Sequence, residues 1–456
     1  MEHHMKEISQ KEIPWKEDPM MFPIEKAKNI LNSNWTGTYT KPSPYLYPHQ
    51  WNWDSGFIAI GYSRYHQQRA QAEIRSLFNA QWKNGMVPHI VFNPDVLGSY
   101  FPEPDFWQVW KSKAAPKEKL TSGITMPPVH ATACRSIFEN AKDKKEAERF
   151  LKEMFPKLKK SHEYFYRYRD PKSEGLVYIR HPWEWGMDNS PIWNQPLESI
   201  PLRKDDLPAF TRKDLKKGIP QGQRPTQEDY DRYVWLVDLF RQNAYEEEEI
   251  DGECPFKIQD ALVNSILNRS NKDLIFIANV IGEDSTEISR WTQKTDRAIQ
   301  EKLWHEDHGI FDDFDLYGNR MIEVDTASGF LPLYAQSATA TQAKRLYRYL
   351  ESASFCAMHQ GNCFSIPNYN MDREEYNPQN YWRGPIWINM NWMLYHGLKF
   401  YHFDRKVRSV MIDLLALVRN YGFHEYFDPH QGIGYGTDCF SWTASLYIDT
   451  LYDLIE

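Results

Sequence analysis

The segment Asn380-Tyr381-Trp382-Arg383-Gly384-Pro385-Ile386-Trp387-Ile388-Asn389 decides how the rest of the chain reads. Gly384-Pro385 forbids a helix from running through it, and Pro at an N1-like position leads into Ile386–Leu394, which reads as the start of a helix. The residues just ahead of that helix are a poor choice for ordinary packing. Tyr381, Trp382 and Trp387 offer flat apolar faces with polar edges, and Arg383 adds a fixed charge. Aromatic faces at a helix mouth suit a pyranose ring, whose C–H face stacks while its hydroxyls hydrogen-bond sideways. A buried aromatic cluster is the plainer alternative, and for a lone Trp pair the commoner one. Here the pattern recurs.

Working outward, apolar residues return at three- and four-residue spacing through Ile24–Leu31, Ser55–Tyr65, Gln68–Trp82, Val129–Ala141 and Lys144–Tyr168. The same spacing runs through Pro255–Ile281, Thr286–Leu303, Ala327–Leu333, Ala338–Tyr349, Trp387–Tyr401, Asp404–Arg419 and Phe440–Leu454. This is an all-α pattern of successive helix pairs joined by long loops rich in Pro, Trp and Asp. Strand-like alternation is confined to Gly175–Arg180 and Ile310–Met321, which predict small hairpins. No repeat of solenoid length is present. Trp193–Asp231 is long, polar and broken by five prolines, an excursion that a compact domain rarely carries unless it serves as a lid or substrate loop. A loose insertion is the alternative.

The chain has 456 residues and a net charge of −8 with both signs mixed throughout, which argues against nucleic acid or an acidic membrane as partner. Its five cysteines are scattered without a C-x-x-C pair, so neither a disulfide framework nor a zinc site is expected. Asp312-Asp313-Phe314-Asp315 lacks the Gly and closing Glu of a calcium loop and reads as a turn between strands. No apolar run follows Met1 and none is long enough to span a bilayer, giving the expectation of a cytoplasmic protein with a polar arm over residues 1–20.

Three further segments share the character of the first. Tyr47-Pro48-His49-Gln50-Trp51-Asn52-Trp53-Asp54 places two indoles before a helix, with Asp54 able either to cap it or to bind hydroxyls. His181-Pro182-Trp183-Glu184-Trp185-Gly186-Met187-Asp188 sets two carboxylates among rings, where burial favours the protonated, proton-donating form. His424-Glu425-Tyr426-Phe427-Asp428 puts Glu425 in an aromatic loop after a helix. Each carboxylate taken alone is more often structural. Together, two on separate inter-helix loops match the needs of glycoside hydrolysis, in which one protonates the leaving oxygen and the other activates water or attacks.

With these residues in view, the chain resembles glycoside hydrolase family 63, in particular its bacterial and plant mannosylglycerate and glucosylglycerate hydrolases. The matching blocks are Trp51–Phe57, Gly123–Pro128, Trp183–Pro191, Asp325–Leu333, Tyr381–Trp387, Glu425–Pro429 and Phe440–Ala444, in the family's order along nearly the whole chain. The resemblance implies one (α/α)6 barrel over residues 21–456 with the site at its mouth and a lid at 193–231. It implies inversion of an α-glycosidic bond without metal or other cofactor, with Asp188 as general acid and Glu425 as general base about 6.5–9.5 Å apart. Tyr47, Trp51, Trp53, Asp54, Tyr381, Trp382, Arg383 and Trp387 then wall the sugar pocket, and Arg224 and Tyr230 reach the glycerate end. This chain departs at Met126, where relatives of this type read Gly-Ile-Thr-Gln-Pro-Pro, so that an amide donor and acceptor are lost. A neutral disaccharide such as trehalose or kojibiose, or a silent sugar-binding protein, remain as rival readings, and a homo-oligomer is left open.

Overall fold

The computed structural model describes residues 23–202, 207–217, 221–356 and 363–455. The arm expected over residues 1–20 lies outside the described residues. Twelve helices of ten residues or more occur among those described: α1 (Ile24–Asn34), α2 (Asn52–Ser63), α3 (Gln67–Phe78), α4 (His130–Asn140), α5 (Lys144–Tyr168), α6 (Gln227–Gln242), α7 (Ala261–Ile281), α8 (Thr286–Ala298), α9 (Ala340–Leu350), α10 (Ile388–Phe400), α11 (Asp404–Tyr421) and α12 (Ser441–Ile455).

Helices α2, α4, α7, α10 and α12 form an inner ring, completed by a short 3-10 turn at Ala327–Phe330. The ring closes: α2 packs on α4, α4 on α7, α7 on that turn, the turn on α10, α10 on α12, and α12 back on α2. Every residue of α2 is buried, as a helix walled on all sides must be. Helices α1, α3, α5, α8, α9 and α11 form the outer layer, and those such as α8 bury only one stripe. The result is an (α/α)6 barrel, as the motifs imply.

Local chemistry sets the helix ends. Asp143 accepts from the Glu146 amide at 3.0 Å and starts α5, whose predicted bounds are met at both ends. Asp260 caps α7 at Ala261, six residues later than the apolar pattern suggests, because Ile258–Gln259 is instead a strand paired with Asp313–Asp315. The segment 327–333 is a 3-10 turn rather than an α-helix. Of the strand expected at 175–180, only Ile179 bridges, to Ile258. Helix α6 was hidden in the polar excursion: Thr226 caps it, and Tyr230, Tyr233, Val234, Val237 and Phe240 lie on its buried side. Cys356 and Cys363 form a disulfide, correcting the expectation of none, while Cys134, Cys254 and Cys439 are free.

Helices α2 and α12 approach closely. A Cβ on Gly61 would stand 2.5 Å from the Ser445 backbone, which only a glycine escapes. Gly61→Val is therefore expected to lower unfolding free energy by about 1–3 kcal/mol or more through overpacking. Gly252→Ala, at an exposed helical position with no atom within 4 Å, should leave it unchanged or slightly raised. Thermal unfolding of both variants checks this.

Candidate active site

One chamber at the barrel mouth gathers the segments that stood out in the sequence. Its wall includes Tyr47, Trp51, Trp53, Asp54, Met126, Asp188, Arg224, Tyr230, Tyr381, Trp382, Trp387 and Glu425. Arg383 does not join them; its guanidinium donates to Asn194 Oδ1 outside the chamber. Arg383 flanks two inward rings, but backbone direction, invisible in composition, turns it away.

The opening segment is pinned from two sides. Ile386 exchanges backbone hydrogen bonds of 2.8 and 3.0 Å with Phe427, so residues 386–387 are extended and α10 begins only at Ile388. That pairing ties the aromatic segment to the strand Tyr426–Phe427, which Glu425 directly precedes. Asn189 accepts from the Trp382 amide at 2.9 Å and donates to Asn380 Oδ1 at 2.9 Å, which ties it equally to the loop of Asp188. Trp382 and Trp387 stack with ring centres 3.6 Å apart. Gly186 adopts a positive φ of 80°, and a Cβ there would meet the Trp53 ring at 2.4 Å. The loop thus passes against that indole only because the residue is glycine.

The two carboxyls differ in their company. Glu425 Oε1 accepts from Tyr47 Oη at 2.8 Å and from Tyr381 Oη at 3.3 Å, and its Oε2 accepts from the Thr437 amide at 3.2 Å. Arg224 Nη2 stands 3.9 Å from that Oε2, while Nη1 donates to Tyr47 Oη at 3.1 Å. Burial pushes the Glu425 carboxyl up, but the guanidinium, the Tyr47 hydroxyl and the Thr437 amide pull it back. Asp188 has no such cluster of donors. Burial is the main cause that pushes it up to about 7, Arg224 opposes, and the Glu425 charge raises it further. Both carboxyls are thus raised, and Asp188 has fewer groups opposing the rise.

Glu184, which the sequence left as an equal candidate to Asp188, is a structural anion. Arg169 clamps it through Nη1 and Nη2 at 2.8 and 2.7 Å, and the Arg180 amide adds a bond of 2.7 Å. Burial raises this carboxyl, but the Arg169 cation and its hydrogen bonds outweigh that and leave it below the usual carboxylate range. Asp54 sits in the first turn of α2, where burial pushes its carboxyl well above the usual range and makes it a hydroxyl-like donor.

Several polar atoms in the chamber wall are buried without a partner among the described residues: Trp382 Nε1, Trp442 Nε1, His89 Nδ1, and Arg224 Nε and Nη2. Buried donors left unpaired are costly, so a wall of them signals a polar ligand. Arg224 also lies over the Tyr381 ring, 4.6 Å from its centre. Sequence reasoning missed Tyr100, Phe101, Lys213 and Asp214, which line the far end. They come from loops without periodicity, and only the ring-and-proline run Tyr100-Phe101-Pro102 carried a signal.

Two carboxyls, Asp188 and Glu425, line one aromatic chamber at the mouth of an (α/α)6 barrel, an arrangement that suits a glycoside hydrolase. Residues 47–443 match the family described as Mannosylglycerate hydrolase MGH1-like glycoside hydrolase domain, and the chain belongs to that family. It is 43% identical over 430 residues to a mannosylglycerate hydrolase of Rubrobacter radiotolerans, covering 94% of this chain and 97% of that one. It is 32% identical over 446 residues to a glucosylglycerate hydrolase of Mycolicibacterium hassiacum, covering 95% and 99%. The crystal structure of a family 63 mannosylglycerate hydrolase of Thermus thermophilus with Tris and D-glycerate superposes with a TM-score of 0.86 at 40% identity, covering 93% of this chain and 98% of that chain.

If Glu184 is structural, removing its partner leaves a bare buried anion. Arg169→Met is expected to cost about 3–5 kcal/mol of stability. A lowered unfolding midpoint checks this, and an unchanged midpoint would contradict the structural role.

Proposed function

We propose that the protein hydrolyses a small α-glycoside of an organic acid, glucosylglycerate or mannosylglycerate, with inversion at the anomeric carbon. The observation that carries the acid-bearing aglycone is Arg224: a buried guanidinium lining the chamber whose Nε and Nη2 have no hydrogen-bond partner among the described residues, Glu425 standing 3.9 Å from Nη2. A planar two-point donor suits a carboxylate. The substrates named for the Rubrobacter and Mycolicibacterium relatives support the same reading.

In this reading the sugar ring lies against Trp53, Trp382 and Trp387, with Trp51 and Tyr47 at its edge and the Asp54 carboxyl on its hydroxyls. Protonated Asp188 gives its proton to the glycosidic oxygen as the bond to the anomeric carbon breaks. Glu425 takes a proton from a water that attacks the same carbon from the opposite face, releasing free sugar and glycerate. Arg224, with Tyr230 beside it, holds the glycerate carboxylate. The described parts of the 193–231 excursion contribute Lys213, Asp214, Arg224, Pro225 and Tyr230 to the chamber, and we assign it the role of a lid that excludes bulk water. A second reading, cleavage of a neutral α-disaccharide, draws on Met126, whose thioether gives the chamber an apolar patch where relatives of this type carry an amide.

A proton-NMR panel of glucosylglycerate, mannosylglycerate, glucosylglycerol, trehalose and kojibiose tests this. Only the acid-bearing glycosides should be cleaved, with the β-sugar appearing first. Asp188→Asn and Glu425→Gln should each lower kcat by about 10²- to 10⁴-fold. Rapid cleavage of trehalose or kojibiose would overturn the organic-acid assignment, and α-sugar appearing first would overturn inversion. Because Asp188 must be protonated, kcat/KM should fall above about pH 7. Arg224→Ala should lower kcat/KM for the acid glycosides by about 10²-fold, mainly through KM, and move the acid limb upward as Glu425 loses its counter-cation.

A further inference from the structure

Away from the chamber, two hairpins meet just before the shortest member of the inner ring. Trp304–His305 pairs with Ile310–Phe311, and Asp313–Asp315 pairs with Arg320–Ile322. His305 lies on the first strand of the first hairpin, His308 in its turn and Asp312 just after it, with one ring nitrogen from each histidine and one Asp312 oxygen all within 4.8 Å of one another. Asp312 is only 2% exposed, and neither of its carboxyl oxygens has a hydrogen-bond partner among the described residues. A carboxyl so buried and so bare calls for a cation. No Lys or Arg makes an ion pair with it among the described residues; its one ion-pair neighbour is His308 Nδ1, 3.8 Å from Oδ2. Glu323 stands on the far side, 3.6 Å from His305 Nε2 and 3.8 Å from His308 Nε2.

We propose that His305, His308 and Asp312 bind a divalent transition-metal ion, with zinc the best match, as a structural staple that pins the first hairpin to Asp312, the residue that links it to the second. Two imidazoles and a carboxylate are a donor set that favours zinc, nickel or copper over calcium or magnesium, which prefer oxygen alone. Metal–ligand bonds near 2.0–2.2 Å place tetrahedral donors about 3.3 Å apart, so the three atoms need to draw in by up to about 1.5 Å. The partly exposed histidine side chains have room to supply that movement. With Nδ1 of His308 turned to the metal, its Nε2–H is left facing Glu323, the carboxylate arrangement that commonly orients a ligating histidine. Ligation by Nε2 of His305 moves that ring's proton to Nδ1 and gives up the 3.2 Å bond it accepts from the His308 amide.

The staple would sit where the barrel most needs one. The chain leaves Glu323 for Asp325 and Thr326 and enters the 3-10 turn Ala327–Phe330, which replaces a full helix in the inner ring. The metal would be structural, and its loss should leave the hydrolytic chamber assembled. Cysteine spacing could not reveal such a site, because no cysteine belongs to it.

Titration of the chelator-treated full chain with zinc chloride in a calorimeter tests the proposal, with His308→Ala and Asp312→Asn as variants. His308 is exposed, so its loss should not disturb folding, and a matching circular-dichroism spectrum verifies that. The expected result is one zinc per chain in the wild type, lost or weakened at least tenfold in each variant, with no heat from calcium or magnesium. Free zinc at roughly 100 times Kd should raise the melting temperature by about 3 °C in the wild type and not in His308→Ala. No zinc binding, or equal binding by wild type and His308→Ala, would overturn it and leave the cluster as histidine–carboxylate pairs.

Discussion

The arrangement of the chamber depends on one buried cation. Arg224 is almost wholly removed from water, and a charge in that position must be compensated nearby. It answers to Glu425 at 3.9 Å, to the Tyr47 hydroxyl and to the face of Tyr381. The same charge acts on both acids, but Glu425 also takes three hydrogen bonds from its surroundings while Asp188 is left mainly to its desolvation. Two carboxyls of similar intrinsic acidity are thereby driven apart, which is how one pocket supplies an acid and a base at one pH.

This electrostatic split rests on the fold in a traceable way. Glu425 reaches the chamber because the Tyr426–Phe427 strand is bonded through Phe427 to Ile386, and Asp188 reaches it because Asn189 is bonded to the Trp382 amide. Both ties run through the aromatic segment ahead of α10. The inner ring carries that segment at the start of α10, and within the ring α2 and α12 approach closely at Gly61. The stacked Trp382–Trp387 pair therefore lines the chamber and stands between the ties to the loop of Asp188 and to the strand that follows Glu425.

Most of this could be read in the sequence, for physical reasons. Helix α5 was legible at both ends because its apolar stripe begins at a capping Asp143. The chamber walls were legible because Trp51, Trp53, Trp382 and Trp387 cluster at or just ahead of helix starts, where packing alone gives no reason for so many indoles. Other parts depend on contacts between residues distant in the chain. Nothing in Glu184 itself distinguishes it from Asp188; its role is set by Arg169, which is near in sequence but meets it only through the fold. Helix α6 was masked by the prolines before it, and Arg383 was misjudged because its neighbours point inward and it does not. The Cys356–Cys363 bond depends on a Cα separation of 6.0 Å that spacing along the chain does not specify.

The most direct measurement of the central claim is a carboxyl ¹³C-NMR titration of the enzyme, with Asp188→Asn and Glu425→Gln used to assign the two resonances. The pair should lose its protons in two steps, the lower belonging mainly to Glu425 and the upper, at about pH 7, mainly to Asp188. Arg224→Ala should raise both steps. If Glu425 instead keeps its proton to a higher pH than Asp188, or if removing Arg224 moves neither step, then the buried cation does not set the division of labour between the two acids and this account of the site is wrong.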